Sequence, residues 1–375
     1  MSRIPVVIAV LLACGSPLAV AGDWPMYRGD AERSGYTDES LPGKLTLKWS
    51  YQPLHPPAPA WPREERMEFD RAYHVAVAQG CVYFGSSADG KVYALDAASG
   101  AERWSFFTDA PVRFAPAVWR DRVFAVSDDG HLYCLNAADG TLIAKWRGGP
   151  DDARVLGNGA MVSKWPARGG PVIRDDILYW AAGLWQSEGV FLIAMDLATG
   201  EVLWKNSTAA QIEMPQPHGG ANARSGVTAQ GYLVATADQL FVPTGRAVPA
   251  ALARADGVFQ YYRLQENGQR GGTGVMASGP FFYNGGFAFE AATGVASPAP
   301  IAGVVCRFAA GVIHGAKDQL RALEPVRREA PDRTGKPVLR LDHQLLWEVP
   351  SVPAGTALIA AGSTIVSAGA ARIAT

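Results

Sequence analysis

A unit of about 40 residues recurs along this chain, and the repeat constrains the fold more than any other feature of the sequence. Val82–Trp104 reads VYFGSSADGKVYALDAASGAERW, and Val123–Trp146 reads VFAVSDDGHLYCLNAADGTLIAKW. A third copy spans Ile177–Trp204. Each copy has two runs of β-forming residues around a glycine turn, so it must bury its faces against neighbouring copies. This period and pattern predict a β-propeller.

Each unit is predicted to contain four antiparallel strands, a to d. Turns such as Asp128-Asp129-Gly130 connect strands b and c, because glycine adopts the positive φ that a tight hairpin requires. Trp104, Trp146 and Trp204 fall on the outer strands d. Apolar residues at helical spacing are absent over any three turns. We therefore expect an all-β ring of seven or eight blades.

The two ends of the chain carry incomplete units. Leu45–Tyr51 (LTLKWSY) has the pattern of an isolated strand d, which predicts that Trp49 pairs with the C-terminal blade and closes the ring without an open edge. Residues 355–369 fit strands a and b of a further unit. We expect an incomplete last blade in a C-terminally truncated chain. In the preceding unit, Val326–Asp342 is expected to form a long charged loop.

Composition narrows the function classes. The chain has 375 residues, a net charge of −1 and 48% hydrophobic residues, so it can bury a large core. The near-zero net charge argues against a nucleic-acid partner. No segment predicts a transmembrane span.

The first 21 residues have the features of a secretory signal peptide. Arg3 supplies positive charge, Ile4–Ala13 is apolar, and Ala19-Val20-Ala21 is a small-residue cleavage site. Cleavage leaves residues 22–375 as a single propeller domain in the periplasm or outside the cell. The alternative is a lipoprotein anchored through Cys14, since Leu11–Cys14 has the form of a lipobox.

The remaining cysteines and the histidines predict neither a disulfide framework nor a metal site. Cys81, Cys134 and Cys306 are odd in number and lie in or beside predicted strands, where cysteine behaves as a small apolar residue. The six histidines show no HxH or HExxH spacing. We expect no metal ligands and no catalytic residues.

Long connections between strand d of one unit and strand a of the next give the clearest indication of a binding site. They span residues 52–71, 148–168, 206–230 and 265–273, and they should emerge on one face of the ring, where propeller ligands bind. Arginines could clamp an anion, and tryptophans could stack on a ring or sugar. Packing within the loops is the alternative role for each residue. The candidate ligand-binding residues are Trp61, Arg147, Arg154, Asn158, Trp165, Arg168 and His218.

One spacing within the repeats resembles a known family. The pattern A-x-D-x-x-x-G-x-x-x-W occurs at Ala94–Trp104 and Ala194–Trp204, with a degenerate copy at Asn136–Trp146. It resembles the tryptophan-docking repeat of pyrroloquinoline-quinone (PQQ) propellers, which include quinoprotein dehydrogenases and an outer-membrane-protein assembly lipoprotein. The opening DWPMYRGD (23–30) is similar to the start of exported bacterial PQQ-like proteins of unassigned function.

The resemblance implies two functions. A dehydrogenase of this family would place a disulfide of adjacent cysteines over the quinone, with calcium ligands and an Asp base beside it. This sequence has no adjacent cysteines, and no calcium ligands can be carried over. We therefore expect a non-catalytic envelope scaffold that requires no cofactor and binds an envelope protein or a small anionic or cyclic ligand at its rim. The alternative is a dehydrogenase dependent on PQQ and calcium.

Overall fold

The computed structural model describes residues 22–375 apart from 64–66, 158, 217–219, 246, 265–270, 302, 309–310, 317, 332–333, 353–354, 370–371 and 375. The described residues contain no helix, and so none that is long and apolar enough to cross a membrane. The predicted signal peptide and Cys14 lie outside the described residues.

The first half of the chain forms three sheets of the ring and two extra hairpins. Blade 1 pairs β2 to β5 in order, and blade 2 pairs β6 to β9. Blade 3 pairs β12 to β15, with β18 added in parallel to β12. β10 pairs only with β11, and β16 only with β17. The strands are β1 Tyr36–Thr37, β2 Val75–Ala78, β3 Cys81–Gly85, β4 Lys91–Asp96, β5 Glu102–Phe107, β6 Ala117–Trp119, β7 Arg122–Val126, β8 His131–Asn136, β9 Leu142–Arg147, β10 Arg154–Gly157, β11 Ala160–Ser163, β12 Gly169–Arg174, β13 Ile177–Ala182, β14 Phe191–Asp196, β15 Val202–Asn206, β16 Glu213–Pro215, β17 Asn222–Arg224 and β18 Gly231–Tyr232.

The second half forms four further sheets. Blade 4 pairs β19 to β22, blade 5 pairs β23 to β26, and blade 6 pairs β27 to β30. Blade 7 has the order β1-β31-β32-β33. The strands are β19 Val234–Ala235, β20 Gln239–Val242, β21 Val248–Ala253, β22 Phe259–Arg263, β23 Met276–Ser278, β24 Phe281–Asn284, β25 Phe287–Glu290, β26 Ala296–Pro300, β27 Val304–Phe308, β28 Gly311–Ala316, β29 Gln319–Pro331, β30 Pro337–Pro350, β31 Ala357–Ala361, β32 Thr364–Gly369 and β33 Arg372–Ala374. In the described part of the chain, seven sheets thus form a β-propeller, as predicted.

The repeated tryptophans join neighbouring blades. Trp104 lies on outer strand β5, and its indole N–H donates to the carbonyl of Ala137 in blade 2 at 3.0 Å. Its ring covers Gly140, where φ is +73° and an added Cβ would lie 2.6 Å from the indole. Trp204 on β15 repeats the contact with the carbonyl of Arg254 in blade 4, also at 3.0 Å. Glycine and tryptophan in the repeat are therefore packing partners between blades.

Trp49 packs against blade 1 in the same way as the repeated tryptophans, but it does not lie on a strand. Its indole N–H donates to the carbonyl of Ala97 at 3.0 Å, and its ring covers Gly100 of blade 1. Residues 43–51 nevertheless form no strand, so the predicted pairing of Trp49 with the C-terminal blade is wrong. The outermost described strand of blade 7 is β33, and among the described residues no strand pairs with its outer edge. Blade 7 gains β1 at its inner edge instead.

Two other expectations about the C-terminal part are corrected. The last unit continues beyond strand b, because β33 pairs with β32. Val326–Asp342 is not a loop. β29 and β30 pair from Gln319↔Pro350 out to Pro331↔Pro337, so this segment forms a hairpin that projects from the ring. We call the projecting part, residues 326–342, the arm.

Residues 22–37, which we call the N-terminal segment, wind around the axis of the ring and contact all seven blades. Trp24 exchanges two backbone hydrogen bonds with Val77 of blade 1, and the fully buried Arg33 donates to the carbonyl of Pro171 of blade 3 at 2.7 Å. Five further backbone bonds run from the remaining blades, 2, 4, 5, 6 and 7, to the segment: Val118 to Pro25, Ala235 to Ala31, Ala277 to Glu32, Arg307 to Ser34 and Ala360 to Gly35.

These contacts place the N-terminal segment at one mouth of the central channel. Val77, Arg307 and Ala360 each lie next to the end of their innermost strand, close to the turn into strand b. The long connections enter the innermost strands from the opposite end. The segment therefore covers one mouth of the channel, and the long connections surround the other.

Candidate functional site

The two longest described connections lie on the same face and share one support. The indole N–H of Trp165, in the 148–168 connection, donates to the carbonyl of Glu188 at 2.6 Å. The side-chain amide of Gln186 donates to the carbonyl of Gly226, in the 206–230 connection, at 3.0 Å. Glu188 and Gln186 both belong to the turn between β13 and β14. We call the face formed by residues 52–71, 148–168, 183–190 and 206–230 the rim.

Apolar side chains are exposed on the rim. Leu156 is 77% exposed and Met161 is 51% exposed, and the two are opposite each other across the β10–β11 hairpin. Trp185, on the supporting turn, is 41% exposed. Large apolar side chains that are exposed on one face of a protein are typical of a surface that another molecule covers.

The guanidinium group of Arg168 lies over the ring of Trp61. The guanidinium carbon of Arg168 lies 5.8 Å from the centroid of the Trp61 ring, within the range of a cation–π interaction. The indole N–H of Trp61 donates to the side-chain oxygen of Gln230 at 3.1 Å. The amide nitrogen of Gln230 is buried and has no hydrogen-bond partner among the described residues.

Arg168 also belongs to a buried network of ion pairs. Its Nη2 lies 3.0 Å from the carboxylate of Asp128, which accepts a second bond of 2.6 Å from Arg113. Arg113 in turn contacts Asp70 at 2.6 Å. All four side chains are at most 4% exposed. Burial opposes ionisation of Asp128, but the charges of Arg113 and Arg168 outweigh it and hold its pKa below the usual value.

Arg147 and Arg154 lie at the outer part of the rim, away from this network. Arg147 pairs with Asp152 at 3.0 Å, and Arg154 lies 3.8 Å from Asp109. These side chains are between 43% and 65% exposed, so the ion pairs contribute little to stability. Both arginines remain accessible from solvent.

Of the other three candidate residues, only Trp165 belongs to the described part of the chain. Trp165 is 5% exposed and packs beneath its own connection. Asn158 and His218 lie outside the described residues. The structure therefore brings Trp61 and Arg168 together, anchors Trp165 nearby, and leaves Arg147 and Arg154 on the outer surface.

Aromatic rings occupy the channel side of blades 1 to 4. Tyr27 of the N-terminal segment stacks on Tyr232 with ring centroids 3.8 Å apart, and Phe114 meets Tyr232 edge-on at 5.0 Å. His74 Nδ1 lies 3.1 Å from the hydroxyl of Tyr232. Burial, aided by the charge of Arg28, lowers the pKa of His74 to about 4. Packed rings, rather than polar groups, therefore fill this part of the channel.

Sequence reasoning missed the network that holds the rim to the ring. Asp70, Arg113 and Asp128 were not candidates, because each falls where a polar residue is ordinary: in a loop, beside a strand or in a turn. A signal was present in Asp128-Asp129, two carboxylates in a turn that needs only one. Their different environments could not be read from that pattern.

Comparison with known proteins identifies others with a similar architecture. The family described as outer membrane protein assembly factor BamB matches residues 57–239, just under half of the chain. A europium-containing methanol dehydrogenase superposes with a TM-score of 0.57 at 14% identity, covering 92% of this chain and 81% of that one. A quinohemoprotein alcohol dehydrogenase from Pseudomonas putida gives 0.58 at 15% identity, covering 92% and 69%. The fold is the PQQ-like β-propeller. No curated protein matches the sequence.

This PQQ-like propeller does not offer the cysteine pair that the dehydrogenase alternative calls for. Cys81, Cys134 and Cys306 are buried and free, on strands β3, β8 and β27 of three different blades. Burial raises the pKa of the Cys134 thiol to about 11 and that of Cys306 to about 12. The described residues contain no group of three or more His, Cys, Asp or Glu side chains placed to hold a metal ion.

Proposed function

We propose that this PQQ-like propeller is a non-catalytic scaffold of the cell envelope that binds a partner protein at its rim and requires no cofactor. The observation that carries the proposal is the exposure of Leu156, Met161 and Trp185 on elements that project from one face. Apolar and aromatic side chains in the centre of an interface supply most of its binding free energy. Arg147 and Arg154 would supply the polar margin.

The rim is built as a rigid platform. The network of Asp70, Arg113, Asp128 and Arg168 fixes the bases of the connections, because four buried charges must keep their partners. A preorganised surface loses less conformational entropy on binding. The arginine that lies closest to Trp61 therefore supports the surface instead of being free for a ligand.

The family match supports an assembly role. The matched segment, residues 57–239, includes both rim hairpins, and the family is described as an outer membrane protein assembly factor. A role in the envelope requires export, which the predicted signal peptide at residues 1–21 would provide. Periplasmic or extracellular placement is part of the proposal, with anchoring through Cys14 as the alternative.

Site-specific photo-crosslinking in the native host tests the partner surface. A photoreactive residue at position 185 should give one discrete protein adduct. The double variant Leu156→Asp and Met161→Asp should abolish the adduct, whereas Leu339→Asp should leave it unchanged. Leu339 is a matched control because it is 63% exposed on the arm, which belongs to blade 6 and not to the rim. If the double variant forms the adduct in the same yield as the wild type, the proposal is contradicted.

A dye-linked oxidation assay tests the absence of catalysis. The purified protein, mixed with PQQ and calcium, is offered alcohols and sugars, and we expect no dye reduction above that of the protein without PQQ. Dye reduction that requires PQQ and saturates with substrate would establish the dehydrogenase alternative instead.

A further inference from the structure

A cavity of about 210 Å³ opens beside the channel, between the inner ends of blades 5 and 6. Its walls come from the connections into β23 and β27 and from the turn between β24 and β25. Tyr27 and Arg28 of the N-terminal segment also line it. The cavity is separate from the rim hairpins and from the buried ion network.

Arg28 brings an unneutralised positive charge to this cavity. Its Nε donates to the carbonyl of Arg33 at 2.9 Å, and its Nη2 donates to the carbonyl of Val305. It has no ion pair with any carboxylate that the structure describes. Its charge reaches its surroundings: it adds to the lowering of the His74 pKa by burial, and it opposes the rise that burial causes in the pKa of Cys306. A partly buried guanidinium that faces a cavity is an attractive partner for an anion.

The backbone of Arg28 is held in a conformation that costs free energy. Its φ is +59°, in the left-handed region that a side chain with a Cβ rarely adopts. Such strain persists where the surroundings fix it, and it occurs often at binding sites. Here the strained backbone directs the side chain across the segment to β27, along the edge of the cavity.

The remaining lining determines the size and character of the guest. Val275, Met276, Ile301 and Val304 contribute apolar wall, and Tyr27 adds an aromatic one. The volume falls below the roughly 300–1,000 Å³ of sites for drug-sized ligands. The guest is therefore small, and it combines one anionic group with an apolar body.

We propose that the cavity binds a small carboxylate with a branched aliphatic or aromatic body, its carboxylate on Arg28 and its body against Met276, Ile301 and Val304. This site is distinct from the partner surface of the rim, so either can be absent without the other. The carboxylate could belong to a free metabolite or to the C-terminus of a peptide, which share this chemistry.

Calorimetry on the intact mature chain tests the site with defined probes. Benzoate and isovalerate should bind, and the neutral amides benzamide and isovaleramide should bind at least tenfold more weakly, because they lack the charge. A tripeptide ending in Val-COOH, compared with its C-terminal amide, separates the two sources. Tighter binding of the free carboxylates than of the tripeptide assigns the site to metabolites, and the reverse order assigns it to a chain end.

Two variants locate the binding. Arg28→Gln should reduce carboxylate affinity at least tenfold. Because that change also weakens a structural contact, Gly274→Leu provides independent evidence: Gly274 lines the cavity, and an added Cβ there meets no atom within 4 Å, so the new side chain can fill the space without a clash. Gly43→Leu is the matched control, since Gly43 is equally unhindered but does not line the cavity.

The expected result is loss of carboxylate binding in Gly274→Leu and unchanged binding in Gly43→Leu. The proposal is overturned if none of the carboxylates binds at 10 mM, roughly the limit of a weak specific site. It is also overturned if the amides bind as well as the acids, or if Gly274→Leu binds like the wild type.

Discussion

Replacing Asp128 by Asn should destabilise the propeller more than any other single change at the rim. The carboxylate accepts from Arg113 Nε at 2.6 Å and from Arg168 Nε and Nη2 at 3.1 and 3.0 Å. Asn removes the charge and leaves two arginines that are each at most 4% exposed. Arg113 keeps Asp70 as a partner, whereas Arg168 keeps no carboxylate among the described residues. Breaking a buried ion pair on one side costs about 3–5 kcal/mol. That is a large part of the roughly 5–15 kcal/mol by which a protein is stable.

Urea unfolding followed by tryptophan fluorescence measures this free-energy change. Asp152→Asn is the matched control, because its partner Arg147 is exposed and the loss should be at most about 1 kcal/mol. The double variant Asp128→Asn with Arg168→Met should cost less than the sum of the single changes, since the second removes a charge that the first strands. A loss for Asp128→Asn no larger than for Asp152→Asn would refute the reasoning.

The pH dependence gives the same test a second readout. Because the folded-state pKa of Asp128 is lowered, its stabilising contribution is fully present above the unfolded-state pKa, about 4. It is lost as the pH falls through the lower folded-state value. The difference in stability between wild type and Asp128→Asn should therefore be constant from pH 5 to 7, taken as roughly the neutral plateau, and shrink in stronger acid.

Three further changes test other parts of the ring. His74 has a folded-state pKa of about 4, below its ordinary 6.5, so the free energy of unfolding should fall by about 3 kcal/mol at most as the pH drops from 6.5 towards 4. In urea titrations at several pH values, His74→Gln should flatten this slope. Trp104→Ala should cost about 3–5 kcal/mol by the same urea assay, because the indole is 8% exposed between blades; Trp49→Ala, on a more exposed ring, should cost less. Replacing residues 327–341 of the arm with Asn-Gly should leave the melting temperature unchanged, since most of that hairpin contacts solvent, and a drop of several degrees would show that the arm packs on the ring.

The repeated parts of the sequence predicted the ring because the repeat arises from one contact, the packing of a tryptophan on a glycine of the next blade, that recurs between blades. Gly100, Gly140 and Gly200 recur since each lies under or beside a tryptophan of the preceding unit, as Trp49 and Trp104 show directly. A pattern fixed by a repeated contact can be read from one sequence. Blades 4 to 7 were recognisable for the same reason, although their spacing is looser.

Features that depend on a single long-range partner were not predictable in this way. Residues 45–51 have the alternation of a strand, but a strand also needs a neighbour to pair with, and no described strand pairs with these residues. The arm contains many charged residues and two prolines, which is typical of a loop, yet its two halves match in length and pair out to Pro331 and Pro337.

The sequence predicted which connections share a face, but not the surroundings of the candidate residues, whose role in binding stays a prediction. The shared origin of the long connections correctly placed 148–168 and 206–230 on one face. Which arginine is buried and which is exposed depends on where Asp70 and Asp128 lie after folding. Arg168 and Arg154 look equivalent in the sequence and differ completely in their surroundings.

The contact of the N-terminal segment with all seven blades has a consequence for synthesis. Trp24 meets a partner 53 positions later in the chain, whereas Gly35 meets one 325 positions later, at Ala360. The segment is therefore synthesised before its partners, and each of its contacts forms only after the sheet that supplies the partner has been made. A chain from which one internal sheet was deleted would leave part of this segment without its hydrogen-bond partner and would shift the sheets that follow relative to the segment. We therefore expect this ring, unlike a simple tandem array, to tolerate neither the loss nor the gain of a unit.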